Sequence, residues 1–559
     1  MTEGQDSAAP TRARRLSASG LALALLLAAI GFNQFRFLGT PLLWNDEAHT
    51  IMTGKFTLEY GYPRVTDGKN IVFADRIVDG VYQNFDEELQ ATTHSIWATY
   101  YFAAFAVWLA DFADDPYTRT AILRACFAGV GLLGLLLFWQ AIAFRLRGTG
   151  DERAFALVFL TLMLLSVSLT LHLREARYYA LVFFQGSLLF YLYSRWRAEL
   201  PRFRLGWFLG VTACMALTFL TFFPAYFIFF AAIGLCEALV LAAALPTRGF
   251  QAALVSGLRA ASPVLASFLV VLPTFGFFEP FAKSSGEVAW AANLGLVFDF
   301  LLRYELLAAA AAIALVAVGL LIQTSARGGL RAELDDPRLS TAGFLTVAFV
   351  TYAAVVTRMP APNVPWTRYY ILLIPTLAAI GVLLALWVRA RSPGRAWTRA
   401  ALALAALCAL PHLGPKLDTW YGRALELRTP YRGPLDFAIP HLLERYPGGT
   451  ESLVIATNYE EAAFMYYLDA KVIFGFKANN AKEDLRHIPD VVVYREWWGN
   501  NRELYAALLE RQVYETIPFP VLDYPVNNIP QFGPPIPHQY QTQWTDDPER
   551  RFEIHLRKR

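Results

Sequence analysis

Seven consecutive residues, Trp44-Asn45-Asp46-Glu47-Ala48-His49-Thr50, put two adjacent carboxylates and an imidazole shortly after the first long apolar segment. An ionised carboxylate within hydrogen-bond reach of a hydroxyl can act as a general base. Adjacent acids point in different directions, so one of the pair faces a reacting centre and the other supports it. Two other readings stay open. Asn45-Asp46-Glu47 also has the composition of a helix start, and the pair with His49 has the donor set of a divalent-metal site. A carboxylate is costly in hydrocarbon, so the cluster belongs at a membrane boundary or in a polar cavity.

Two further clusters carry cations. His172-Leu173-Arg174-Glu175-Ala176-Arg177-Tyr178-Tyr179 separates two apolar runs with almost no loop. If the segment is helical, Arg174 lies one turn from both Arg177 and Tyr178. Two guanidinium groups there can grip a phosphate bidentately; a snorkelling Arg/Tyr belt is the structural alternative. Pro365-Trp366-Thr367-Arg368-Tyr369-Tyr370 opens a later apolar run and offers another boundary arginine among aromatics, with the same belt alternative. His94 and Lys283 are lone polar groups in polar connections and read as surface.

The elements that must position these groups are set by composition. Only 17% of the 559 residues are charged and 56% are hydrophobic, against about 25% charged in a soluble domain. The chain is therefore an integral membrane protein. Its net charge of +3 implies no nucleic-acid partner. Cys126, Cys214, Cys236 and Cys408 lie in apolar segments without metal or CxxC spacing, which argues against a disulfide or zinc site. No A-x-A cleavage site follows the first apolar run, so it is expected to be a retained helix.

Apolar runs long enough, or nearly so, to span fall at 19–38, 95–112, 120–144, 154–172, 178–194, 205–222, 225–245, 258–278, 303–322, 340–357, 367–388 and 399–414. Basic connections (145–147, 195–204, 248–259, 327–338, 389–399) alternate with others around 173–177, 223–224, 279–302 and 358–366. The positive-inside rule assigns the basic set, and the N-terminal tail with Arg12, Arg14 and Arg15, to the cytoplasm. A cytoplasmic N-terminus and an outward C-terminus need an odd number of crossings. The segment 95–112, with Ser95 and Thr99 at one end and Asp111 at the other, is the one expected to be re-entrant or to lie along the interface.

The connection 39–94 carries nine Asp/Glu against four Lys/Arg between Asp46 and Glu88. It contains no obvious long apolar-periodic helix, and a connection of that length is uncommon unless functional. After about residue 415, strands alternate with short helices. Helices are expected at Leu435–Tyr446, Tyr459–Tyr467 and Arg502–Arg511. Strands are expected at Ser452–Thr457, Lys471–Phe474, Val491–Tyr494, Val513–Phe519 and Phe552–Leu556. The domain plan is a tail 1–18, a membrane module 19–414 and an α/β domain 415–559.

In order and spacing these motifs resemble the GT-C superfamily of membrane glycosyltransferases, in the branch of protein O-mannosyltransferases and lipid A aminoarabinose transferases. In that branch an Asp-Glu pair follows the first span, as Asp46-Glu47 does here. A Glu-Ala-Arg-x-Tyr stretch lies between later spans, as Glu175-Ala176-Arg177-Tyr178-Tyr179 does. An Arg-Tyr precedes a proline in a late span, as Arg368-Tyr369 precedes Pro375. Relatives often carry His/Lys-Pro-Pro where this chain has Thr93-His94-Ser95. The resemblance implies a polytopic α-helical fold of about 11–13 spans with a small C-terminal extracytoplasmic α/β domain, in the inner (plasma) membrane. It implies transfer of a sugar from a polyprenyl-phosphate donor to a lipid, glycan or protein acceptor on the outer face, with inversion. Asp46 would be the base, with Glu47 supporting it or binding acceptor. His49, His94, Arg174, Glu175, Arg177, Tyr178, Arg368 and Tyr369 would bind substrate. The resemblance names no cofactor, and a divalent metal stays an alternative. A transporter or flippase of lipid-linked sugars is the competing class. Its ionisable groups would be expected near the midplane, with repeat symmetry, whereas here they sit at segment ends. A silent scaffold leaves the carboxylate and arginine clusters unexplained.

Overall fold

The computed structural model describes residues 18–72, 85–86, 88–93, 96–274, 289–358, 367–392, 395–475, 484–499, 501–524 and 538–558. His94, Lys283 and the 359–366 loop lie outside them. The protein is a polytopic helical bundle with a small C-terminal sheet domain. Among the described residues eight helices are long and apolar enough to cross a bilayer: Ala18–Phe35 (α1), Pro116–Arg145 (α4), Phe223–Arg248 (α9, as far as Pro246), Phe250–Val271 (α10), Leu307–Gly328 (as far as Ala326), Pro337–Val356, Leu373–Arg391, and the run Ala396–Glu426. Large apolar side chains such as Leu25, Leu269, Leu315 and Leu407 stand more than half exposed on these helices, as a hydrocarbon-facing surface requires.

The remaining expected runs are helical but depart from simple spans. Residues 154–172 form Glu152–Leu164 (α5) and Val167–Leu173 (α6), bent by 77° at Leu165-Ser166. Tyr178–Ala198 (α7) is 21 residues long and mostly buried among its neighbours. Leu205–Thr221 (α8) has 17 residues. The segment 95–112 yields only Trp97–Ala110 (α3); 14 residues rise about 21 Å, short of the roughly 30 Å hydrocarbon core. Tyr101, Phe105 and Trp108 are exposed along α3, and Phe112 just beyond its end. The connection 279–302 is not all loop, since Trp290–Tyr304 is a helix.

Charge alternation sorts the two ends of the bundle. At one end Arg338 binds Asp151 (2.6 Å) and Asp336 (2.9 Å), Arg391 binds Glu333 (2.9 Å), and Arg389 also meets Asp151. The opposite end gathers the turns 174–177, 222 and 367–370 together with the segment after α1.

That segment contains the main departure from expectation: Asn45–Tyr60 is a 16-residue helix, α2. Apolar periodicity does not reveal it because it is buried on several sides by small and polar residues. The Thr50, Thr53 and Thr57 hydroxyls donate to the Asp46, His49 and Thr53 carbonyls at 3.1, 2.9 and 2.7 Å, so a polar row is satisfied within the helix. Gly54 lets α3 approach; a Cβ there would lie 2.7 Å from the Ala103 Cβ. Gly61, at φ 81°, ends the helix by donating its N–H to the Thr57 carbonyl.

The C-terminal domain follows the expected order closely. Its five strands are Val454–Thr457 (β3), Lys471–Ile473 (β4), Val491–Val493 (β5), Tyr514–Leu522 (β6) and Arg551–Arg557 (β7), while Phe85–Asp86 (β1) and Ala91–Thr92 (β2) form a separate small hairpin. The sheet order is β4-β3-β5-β7-β6, with β4 and β5 parallel to β3 and β7 antiparallel to β5 and β6. The helix Glu461–Leu468, buried along its whole length, packs between this sheet and α2.

A buried carboxyl joins this domain to the membrane module. Asp436 accepts N–H bonds from Leu42 (3.0 Å) and Gly433 (2.7 Å). Burial pushes its carboxyl up to about 7, although those N–H groups and Arg432 oppose the shift. A folded-state value above the unfolded 3.8 means that stability declines as pH rises through that window. Asp436→Asn keeps an acceptor and does not titrate. Its melting midpoint relative to the parent should therefore climb by a few degrees between pH 5 and pH 8. A pH-independent difference would remove the charge from the account.

Candidate active site

The site is built where the start of α2 meets two arginines distant in sequence. Trp44 occupies the N-cap position and no side chain caps α2, so neither acid serves as the helix cap. Asp46 and Glu47, in the first turn, diverge. The Asp46 Oδ2 receives Arg368 Nη1 at 2.6 Å and lies 3.6 Å from Arg177 Nη2. Arg177 Nη1 also donates to the Asp46 carbonyl (3.0 Å) and Thr50 Oγ1 (2.8 Å). Burial would raise the Asp46 pKa; the Arg368 and Arg177 charges, with His49 beside them, outweigh it and hold the carboxyl below its usual range. About a quarter of the Asp46 side chain stays exposed.

Glu47 has no exposed face. Arg124, in the interior of α4, forks onto it through Nε–Oε1 (2.9 Å) and Nη2–Oε2 (2.5 Å), and the Ala176 N–H adds 2.8 Å. Arg124 also donates to the Leu38 and Pro41 carbonyls. Glu47 therefore joins α2, α4, the 174–177 turn and the segment after α1. Sequence reasoning gave Glu47 the role of supporting Asp46 or of binding acceptor; enclosed this way, its carboxylate has no exposed face and holds the elements around Asp46 together.

The 174–177 segment is a turn, not a helix, and it separates its two arginines. Arg174 points to the Arg36 (2.8 Å) and Phe37 (3.0 Å) carbonyls and ties down the end of α1; it is not paired with Arg177. Glu175 is buried against His172 at 3.4 Å. His49 reaches Glu461 of the C-terminal domain at 3.2 Å. Among the described residues no three His, Cys, Asp or Glu side chains gather as a metal cage. Of the groups in the alternative carboxylate–imidazole metal reading, Asp46 faces guanidiniums and His49 faces Glu461.

Aromatic rings wall the arginine pair. Tyr178 stacks on Phe222 (4.7 Å between centroids, 15°), and Phe222 lies parallel to Tyr369 (6.3 Å, 4°). The Arg368 guanidinium sits 5.7 Å from the Trp44 ring and 5.6 Å from Tyr369. Tyr352 donates to the Tyr369 carbonyl at 2.9 Å and holds this turn. A narrow apolar cleft of about 80 Å³ lies between α7, α9 and the helices Pro337–Val356 and Leu373–Arg391; Tyr352, which lines it, is its link to the Tyr369 turn. Phe183, Phe190, Phe349, Tyr352, Leu372 and Pro375 are among the residues lining it.

No protein-family model and no curated protein matches this chain. Among solved structures it is similar to ArnT from Cupriavidus metallidurans bound to undecaprenyl phosphate, at 14% identity over 96% of this chain and 98% of that one, with a TM-score of 0.47. It is also similar to the oligosaccharyltransferase AglB from Archaeoglobus fulgidus in complex with an inhibitory peptide and a dolichol-phosphate, at 13% identity over 88% of this chain and 68% of that one, with a TM-score of 0.44. Identities and scores this low leave the chemistry to be argued from the site itself.

Sequence reasoning missed two contributors. Arg124 is a full charge within an apolar run, the pattern that marks an intramembrane ionisable group as worth a hypothesis. The C-terminal domain supplies Glu461 to His49, and Tyr431 to a small cluster with Trp44; no local pattern signals these contacts.

Proposed function

We propose that the protein is a glycosyltransferase that moves a sugar from a polyprenyl-phosphate donor to an acceptor hydroxyl, with inversion. The reading rests on one observation: a part-exposed carboxylate, Asp46, is shared by two guanidiniums. In this account the cleft takes the start of the polyprenyl chain, and Arg177 and Arg368 turn their outer N–H groups to the phosphate. Asp46 takes the proton of the acceptor hydroxyl. The acceptor oxygen bonds to the anomeric carbon as the carbon–oxygen bond to phosphate breaks, and the phosphate leaves with the electron pair.

The charges move together. Asp46 loses its negative charge on taking the proton while the leaving phosphate gains one, so the guanidiniums shift their attraction to the group that needs it. The span fits too. A guanidinium bridging two anions with different nitrogens holds their oxygens about 7 Å apart. An in-line arrangement of base, acceptor oxygen, anomeric carbon and leaving oxygen needs about that distance. Glu47 and Arg174 act as positioning residues in this scheme. The end of the bundle that carries the site, with the C-terminal domain, is assigned to the extracytoplasmic side of the inner membrane because the opposite end carries the basic connections.

The test is phosphate binding. Arg177→Ala and Arg368→Ala should each weaken binding of undecaprenyl phosphate to the purified protein by about 10–100-fold. The Lys variants should recover only part, because an ammonium cannot form the planar bidentate fork of a guanidinium. Parent-like affinity in both Ala variants would reject the phosphate assignment.

A further inference from the structure

In the C-terminal sheet, β4 lies on one side of β3 and β5 on the other, both parallel to β3. The chain thus reverses its winding direction at the β3–β5 boundary, and open α/β sheets bind ligands beyond the carboxyl ends of strands at such a point. Here the carboxyl ends lead into residues 458–460 and 494–498. A single buried guanidinium fastens these two segments to a third: Arg495 pairs with Glu460 and, through Nε at 2.5 Å, with Asp523. Asn458 exchanges two hydrogen bonds with the Arg495 backbone (3.1 and 2.7 Å), and the Trp497 N–H reaches Asp523 at 3.3 Å.

The stapled segments carry an aromatic wall. Tyr459 stacks on Trp498 (4.7 Å, 15°), Trp498 lies 5.4 Å from Trp497, and Trp497 lies 6.1 Å from Tyr524. Trp497, Trp498 and Tyr524 are half-buried. The wall adjoins the reacting carboxylate: Glu461, two residues beyond Tyr459, bonds His49, one helical turn from Asp46, and the Asp46 charge acts on Tyr459.

We infer that this wall is the acceptor subsite and that it takes a sugar ring, making the acceptor a glycan. The inference rests on the transferase reading above. Flat aromatic faces flanked by fixed polar groups suit a ring with apolar C–H faces and equatorial hydroxyls. An extended peptide acceptor would favour a sheet edge. The β4 edge is occupied, with Asn70 bonding the Val472 N–H (2.8 Å) and the Ala470 carbonyl (2.8 Å). The β6 edge carries Pro518 and Pro520 and is covered near its end by Gln543 and Thr545.

Saturation-transfer NMR on the full chain in nanodiscs, without donor, tests this. The probes are trisaccharides of glucose, mannose, galactose and N-acetylglucosamine, and a Ser/Thr-containing peptide. On irradiating the aromatic protons, ring protons of at least one trisaccharide should take up saturation. The signal should fall to about a tenth or less in Trp498→Ala, fall in the half-buried Trp497→Ala, and persist in Trp498→Phe. Asp46→Asn should keep the signal, which separates failure of the subsite from failure of the transferase reading. Saturation of no trisaccharide, of the peptide alone, or undiminished in both Ala variants would overturn the inference.

Discussion

Asp46→Asn should lower turnover by about 10²–10⁴-fold and leave donor affinity unchanged or tighter. The substitution is nearly isosteric and the amide oxygen can still accept from Arg368. It cannot take a proton at neutral pH. It also removes the negative charge that occupies Arg177 and Arg368, so both cations become more available to phosphate. The two directions together discriminate. A residue that binds donor would lose affinity when neutralised, and a helix cap would be nearly indifferent, because Asn caps about as well as Asp. α2 starts at Asn45 with Trp44 at its N-cap and no side-chain cap, so capping offers no competing explanation. Near-normal transfer by a folded Asp46→Asn protein, measured beside donor affinity, would reject the base assignment.

Glu47→Gln should be the more damaging change to the fold. It leaves the Arg124 guanidinium, 4% exposed, inside α4 with carbonyls and an amide in place of its carboxylate. Breaking a buried pair from one side costs about 3–5 kcal/mol, which should appear as a lowered melting midpoint and a reduced yield of monodisperse protein in detergent. Combining Glu47→Gln with Arg124→Met removes the stranded charge and should restore much of that loss. If Glu47 served only substrate, the single variant would melt like the parent and the double variant would melt lower.

The sheet domain was legible because each short strand ends in a recognisable break, as at Asn458-Tyr459 after β3. Asp46, Arg177 and Arg368 were legible as ionisable groups at the ends of apolar runs, where charge is costly unless it has work to do. Their partnership was not, because Arg368 lies 322 residues from Asp46 and no local pattern encodes that contact. The adjacent Glu47 and the neighbouring Arg174 have the same composition cues and entirely structural partners. Only the rotation of α2 and the turn at 174–177 decide which acid and which arginine meet. α2 escaped notice because its buried faces rely on Thr50, Thr53, Gly54 and Thr57, which carry little hydrophobic signal. The run at 95–112, read as re-entrant or interfacial, forms only the 14-residue helix Trp97–Ala110, ended at Asp111.

Donor consumption is the decisive measurement. Purified protein in nanodiscs should release free polyprenyl phosphate from at least one of polyprenyl-phosphate-linked glucose, mannose or arabinose when membranes supply acceptor. Asp46→Asn should release almost none while still binding undecaprenyl phosphate. Failure of the parent to consume any of these donors, or equal consumption by parent and Asp46→Asn, would contradict the glycosyltransferase reading.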